Sequence, residues 1–328
     1  MKQLLAYCLS IILCVSFTGC MENYLDLYPE DKITSASFPE NESDIKLLLN
    51  GVYAQLREKE VYNQGLFGFG ITDGATPNAF NWGTDEVFNK LGAGRLSSSD
   101  GGVVTYRWKR CYEIISRANY LLACMDLVDL SEEAKAKYSG ETHFLRGLAY
   151  SVLAETYGGV PIILTNISTE EARSLKRASL EETWQQALDD YEVAITNLGV
   201  DAPEPGRATK GAALGMKMRA YLYQGKYKEV LACVEQIDAL KKYGLFHSYE
   251  GLFDPANENN KEVLFDIQYI EGENSQGSYI DQYCGTGTGS WTRGSRYVPT
   301  DDLVAAYETI DGSPVAVSYT HLTLPTNR

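Results

Sequence analysis

Apolar residues recur at three- and four-residue steps along much of the chain, and each such run predicts an amphipathic helix. From about Asp44 to Lys59, Leu47, Leu48, Val52, Tyr53 and Leu56 form one face, with Ser35 to Phe38 and then Asn41 to Ser43 available as caps. From Tyr106 to about Leu127, Trp108, Tyr112, Ile115, Asn119 and Leu122 mark the face turned to a core. Ser131, followed by Glu132 and Glu133, opens the next helix, which leads into the stretch Gly140 to Leu164. There Phe144, Leu145, Leu148, Ala149, Val152 and Leu153 make a single stripe, and Glu141, His143, Arg146 and Glu155 fall largely outside it. Gly158 and Gly159 leave the helical conformation at little cost, and Pro161 prevents its return. Ser179, with Glu182 three residues on, has the spacing of a capping box. The helix it starts runs to Leu198 and buries Trp184, Ala187, Leu188, Tyr191 and Ile195.

After Pro203, Pro205 and Gly206 come a helix of small residues, the turn Tyr223 to Tyr227 and a second amphipathic helix. This pair resembles a tetratricopeptide unit, with Ala220, Tyr221, Gly225, Tyr227 and Val230 at its packing positions. The expected fold is therefore mainly α: helical hairpins at 106–157 and 180–240, packed side by side, with irregular loop-rich insertions.

Two insertions break the period. Residues 60 to 104 scatter glycines among Tyr62, Phe67, Phe69, Phe80, Trp82 and Phe88, with Asp73, Asn78, Asn81 and Asp85 beside them. Residues 271 to 297 repeat the mixture, with Tyr279, Tyr283, Trp291, Arg293, Arg296 and Tyr297. Long irregular loops in compact domains usually carry function, and aromatic richness argues against disorder.

Composition narrows the chemistry. A 328-residue chain that is 44% hydrophobic supports a sizeable core. The net charge of −15 argues against nucleic acid, which needs clustered Lys and Arg. Three histidines at unrelated spacings offer no zinc site, and no cofactor motif is present. The glycine run 285–290 lacks the following Lys-Ser/Thr of a phosphate loop. Of seven cysteines, Cys8, Cys14 and Cys20 lie in or at the end of the first apolar run. Cys111 and Cys124 share one helix, roughly 20 Å apart at 1.5 Å per residue, too far for a disulfide. They, Cys233 and Cys284 read as small buried hydrophobes.

The apolar run Leu4 to Phe17 has the layout of a secretory signal. It ends Phe17-Thr18-Gly19-Cys20, where small residues before a cysteine suit lipid attachment at Cys20, although the bulky Phe17 also fits a cleaved signal without lipid.

Several stretches carry a family resemblance. Glu141, Phe144, Leu145, Arg146 and Tyr150, closed by Tyr157-Gly158-Gly159-Val160-Pro161, resemble the central motif of the SusD/RagB family. So do the Tyr24-Leu25-Asp26 tether after Cys20 and the set Trp108, Tyr112, Ile115, Ala118 and Asn119. Phe253 with Glu262 to Phe265, and Pro299-Thr300 through Tyr307-Glu308 to Asp311-Gly312, resemble it too. Gly147 stands where the family more often has Ala, a departure expected to cost only helix propensity. The resemblance spans residues 17 to 316. It implies a signal peptide over 1–19 and a SusD-like helical-repeat domain over 20–316. It further implies an outer-membrane, cell-surface lipoprotein, not an enzyme, that captures oligosaccharide for a TonB-dependent, SusC-like transporter. Val317 to Arg328 follows no pattern of the family and reads as a non-native tail, the natural protein continuing further.

Sugar rings stack their C–H faces on aromatic rings, and their hydroxyls pair with Asn, Asp and Arg. The candidate ligand-binding residues are accordingly Trp82, Asn81, Asn78 and Asp73 in the first loop and Trp291, Arg296 and Tyr297 in the second. Each tryptophan either presents its ring to ligand or pins its loop to the core. Two other functions fit the residues: a helical-repeat scaffold that binds peptide in its groove, and a secreted glycoside hydrolase. The aromatic loops disfavour the scaffold, and no opposed carboxylate pair identifies itself for hydrolysis.

Overall fold

In the computed structural model of the protein the described residues are 38–57, 73–81, 90–97, 99–270 and 297–314. All named elements lie in the unit that begins at Asn41; the unit before it, Met1–Glu40, contributes only residues 38–40. The elements in chain order are α1 (Glu42–Tyr53), β1 (Ala79–Asn81), α2 (Val103–Cys124), α3 (Glu132–Tyr157), α4 (Thr169–Ser174), α5 (Leu180–Asn197), α6 (Lys210–Tyr223), α7 (Tyr227–Ala239), β2 (Tyr297–Pro299) and α8 (Asp301–Ala305). The expected mainly helical architecture is present. α2 packs on α3, α3 on α5, α5 on α6 and α6 on α7, while α1 lies across α2 and α3.

Helix starts follow their caps. The side chains of Asn41, Ser131, Ser179 and Thr209 each accept a backbone N–H of the first turn of α1, α3, α5 and α6. Ser179 and Glu182 form the reciprocal capping box. A second box, Ser168 with Glu171, starts the short exposed α4, which the apolar pattern does not reveal because α4 buries nothing.

The buried faces differ in places from the expected ones. Helix α1 buries Ile45, Leu49, Val52 and Leu56; Leu47, expected among them, is exposed. The α-helix ends at Tyr53 and a 3-10 turn follows over Ala54–Arg57; Lys59, the expected end, lies outside the described residues. In α2 the fully buried row is Cys111, Ile114, Ile115, Ala118 and Leu121, and Trp108, Tyr112 and Leu122 flank it. Cys111, Cys124 and Cys233 are buried free thiols, as expected for small hydrophobes. In α7 Tyr227 was expected at a packing position, yet it is exposed with Leu231; only Cys233 is buried in that helix. α7 is the outer member of the row of helices, so its far face meets no other described helix.

Helix α3 is the centre. From Tyr138 to Ala154 nearly every residue is buried, because α1, α2 and α5 surround it. Glu141 and Arg146, read as outside the apolar stripe, are therefore interior, and each is compensated. Arg146 donates to Asp190 Oδ1 at 2.7 Å and Oδ2 at 3.0 Å, and to Asn119 Oδ1 at 2.8 Å. Glu141 accepts from the Tyr53 hydroxyl at 2.7 Å and lies 3.7 Å from Arg207. The Tyr53 oxygen in turn accepts the Ala208 N–H, and Arg207 stacks over the Tyr53 ring 4.8 Å from its centroid. One phenol thus joins α1, α3 and the linker before α6. Gly147 also has a larger role than expected. A Cβ there would lie 3.0 Å from the Tyr191 ring and 3.1 Å from the Ala187 carbonyl oxygen, so the bare backbone lets α3 and α5 approach.

The segment after α3 is held by side chains. Gly158 takes φ 74°, and a Cβ on Gly159 would meet Ala178 O at 2.0 Å. Tyr112 donates to Pro161 O at 2.6 Å. Tyr150 donates to Ile163 O and accepts from Ile163 N. Val160 N donates to Thr183 Oγ1, and Val160 O accepts Ala178 N. The motif residues of the sequence are thus the interior ties of this crossing. Phe265 returns to the core, its ring 4.9 Å from that of Phe144.

Candidate functional site

Neither β-strand is legible as such in the sequence, since three residues are too few to show alternation. They pair antiparallel, with Ala79 opposite Pro299, Phe80 opposite Val298 and Asn81 opposite Tyr297. The pairing joins chain segments more than 200 residues apart: β1 lies in the first aromatic loop region, and β2 begins at Tyr297, the last residue of the second. Of the strand residues whose side chains are described, Phe80 and Pro299 are exposed and Ala79 is partly buried.

Local chemistry prepares each partner. Asp73 starts a turn: its carbonyl accepts the Thr76 N–H at 2.9 Å and the Thr76 hydroxyl at 2.7 Å. The Thr76 oxygen accepts the Asn78 N–H at 3.2 Å. Asn78 then closes the ladder, its carbonyl accepting Thr300 N at 3.0 Å, while the Thr300 hydroxyl donates to Pro77 O. The same Thr300 oxygen accepts Leu303 N and caps α8. Beyond the pair, Thr309 and Asp311 close a turn in which Asp311 accepts the Ser313 N–H, and these bonds hold its carboxyl below the usual carboxylate range.

The structure places Asp73 and Asn78 exposed, on the same short segment, with the Phe80 ring half exposed beside them. The backbone register brings Asn81 and Tyr297 opposite one another. Trp82, Trp291 and Arg296 lie outside the described residues, as does Cys20. Phe80 was not among the expected contacts. The signal for it is that an apolar residue in a strand away from the core has nothing to bury against. Among the described residues no group of three His, Cys, Asp or Glu side chains is arranged to hold a metal.

Charged groups in the core are tied elsewhere. Arg146 pairs with Asp190, and Glu141 lies against Arg207, within the interior.

A concavity lies on the helices. The start of α2, the end of α3, the start of α5 and the end of α6 enclose a groove of about 640 Å³. Tyr223, read from the sequence as the first residue of a turn, is the last residue of α6 and stands half exposed at this groove.

Comparison with known proteins accords with this architecture. Residues 23–222 match the SusD-like family described as starch-binding, associating with outer membrane. SusD-like protein P25 of Formosa agariphila is 26% identical over 321 residues, covering 91% of this chain and 58% of its own length. A SusD-like protein of Bacteroides ovatus is 24% identical over 276 residues, covering 77% of this chain and 48% of its own. Among solved structures, a SusD-like protein of Bacteroides fragilis superimposes with a TM-score of 0.73 at 25% identity, covering 88% of this chain and 57% of that one. A SusD-like carbohydrate-binding protein from the same species gives 0.72 at 27%, covering 86% and 55%. The chain thus spans a little over half the length of most of these relatives. With the family match covering most of α1 to α6 and the helical architecture shared, the chain belongs to the SusD-like family.

Proposed function

We propose that this chain is the greater part of a cell-surface lipoprotein that captures oligosaccharide and passes it to a TonB-dependent transporter, without catalysis. The observation that supports the reading is the β1–β2 pairing, which sets Asn81 of the first loop region opposite Tyr297, the last residue of the second. A SusD-like relative that is 27% identical is itself a carbohydrate-binding protein. Residues 1–19 are the cleaved leader, Cys20 carries the lipid, and 20–316 is the helical-repeat domain with the loops inserted in it. Val317–Arg328 is a non-native tail.

In this reading Trp82 is the stacking platform, with Asn81, Asn78 and Asp73 as hydroxyl partners, and Trp291, Arg296 and Tyr297 complete the surface. Modest affinity suffices, because the transporter must take the sugar away. The test is calorimetry on the chain with a saccharide found by affinity electrophoresis, run beside an assay for new reducing ends. Loss of one platform, of about 1–2 kcal/mol, weakens binding about five- to thirtyfold in Trp82→Ala or Trp291→Ala at unchanged melting temperature. Unchanged affinity in both variants moves the site elsewhere, and release of reducing ends replaces capture with hydrolysis.

A further inference from the structure

The peptide unit that leads into Asn78 is clamped at both ends. Its N–H donates to the Thr76 hydroxyl oxygen at 3.2 Å, and its carbonyl, Pro77 O, accepts the hydroxyl of Thr300. The Asn78 carbonyl then accepts the Thr300 N–H at 3.0 Å. The Thr76 half of the clamp is local, whereas Thr300 lies 223 positions beyond Pro77. Asn78 is exposed, so no core packing fixes where its amide points; its backbone bonds set the direction. Thr300 also acts toward its own side of the chain. The same hydroxyl oxygen accepts Leu303 N at 3.2 Å and caps α8, and the Thr300 carbonyl accepts Val304 N at 3.1 Å. A hydroxyl carries one hydrogen and two lone pairs, so one oxygen serves Pro77 and Leu303 at once. α8 has five residues and buries none of them, so neither its own length nor a packed face sustains it.

We infer that Thr300 is a positioning residue: its hydroxyl ties the placement of Asn78 to the ordering of α8, so that the two segments order together. This role rests on the loop surface proposed above as the saccharide site. Strand pairing alone does not supply it. The pairing sets 79–81 against 297–299, but the Pro77–Asn78 peptide lies just before β1, and the strand register leaves its carbonyl unheld. Rotation of that peptide swings the Asn78 side chain, and a hydrogen bond to a sugar hydroxyl weakens steeply once its angle is lost. The Thr300 hydroxyl stops the rotation at the carbonyl end, and Thr76 stops it at the N–H end.

The experiment compares Thr300→Val, which keeps the side-chain shape and loses the hydroxyl, with Thr300→Ser, which keeps the hydroxyl, in the 328-residue chain. Amide hydrogen exchange reads the coupling. In Thr300→Val the amides of Asn78, Val304 and Ala306 are expected to exchange about five- to tenfold faster together, although the lost hydroxyl bonds none of them. Thr300→Ser is expected to restore all three. Thr76→Val, which removes the local half of the clamp, speeds Asn78 alone, and Ser168→Ala, a lost cap on α4, changes none of them. Affinity electrophoresis in gels cast with soluble starch, laminarin or xylan reads the positioning. The polysaccharide that retards the wild type is expected to retard Thr300→Val and Thr76→Val several-fold less, and Thr300→Ser as much as the wild type, at unchanged melting temperature. If Thr300→Val melts lower, Thr76→Val and Thr300→Ser decide. A wild type retarded in none of the gels removes the saccharide reading and the positioning role with it, while exchange still decides the coupling. Equal retardation of wild type and Thr300→Val, a loss that Thr300→Ser does not restore, or faster exchange on one side of Thr300 only overturns the inference.

Discussion

At the scale of single residues, the polar members of the central motif are interior ties. Arg146 is 6% exposed and satisfies Asp190 and Asn119 from one planar fork, which a lysine cannot reproduce. Removing one partner leaves a buried charge uncompensated. Arg146→Met is therefore expected to lose about 3–5 kcal/mol in urea denaturation, and adding Asp190→Leu to recover part of it. His143 responds to pH. Burial is the main cause holding its pKa below 6.5; Ser139 O, 2.8 Å from Nδ1, and Asp190 push it up, and Arg146 pushes it down. The folded protein therefore binds the proton less readily than the unfolded chain. The stability tied to neutral His143 is complete above about pH 6.5 and is lost as pH falls through the folded pKa. Thermal melts between pH 7.5 and 5 are expected to fall less steeply for His143→Gln than for the wild type.

At the scale of elements, helix ends are set by local chemistry and helix faces by neighbours. Ser179 and Glu182 have a capping-box spacing in the sequence, and the box forms. Ser179→Ala is expected to cost about 1 kcal/mol, read as a lower melting temperature. The end of α3 depends on a contact no local pattern contains. Gly159 passes so close to Ala178 that Gly159→Ala must displace backbone, and the variant is expected to unfold at markedly lower urea than Ser179→Ala. Thr183→Val tests the same crossing more gently. It leaves the buried Val160 N–H without its acceptor, at a cost of about 1–3 kcal/mol. The faces of α1 and α7 show the converse. Leu47 and Tyr227 are apolar at helical spacing, yet burial depends on where a partner stands, and none of the described helices stands there.

At the scale of the molecule, a helical core and a peripheral strand pair divide the work. The core side chains of the described residues come from the helices and the segments joining them, and β1 pairs with β2. Local opening energies differ accordingly. Hydrogen exchange is expected to be slowest for amides of Tyr138–Ala154 and much faster for 79–81 and 297–299. Saccharide is expected to slow the strand amides and leave α3 unchanged; protection confined to α3, α5 and α6 would place the neutral ligand in the groove.

The sequence by itself determined the longer helices, the caps at Asn41, Ser131 and Ser179, the Gly-Gly stop and the hairpin architecture, because capping and a 3.6-residue period are local properties of the chain. It also marked Asp73, Asn78 and the two aromatic loops as candidates, because residues without a period have no core face to explain them. The tertiary structure alone decided that Glu141 and Arg146 are interior, that Gly147 lets two helices touch, and that Asn81 faces Tyr297 across a strand pair. Each of these is a relation between segments distant in sequence. A helical wheel assigns one buried stripe, but α3 has neighbours on several sides, so its charged residues meet partners that only packing supplies.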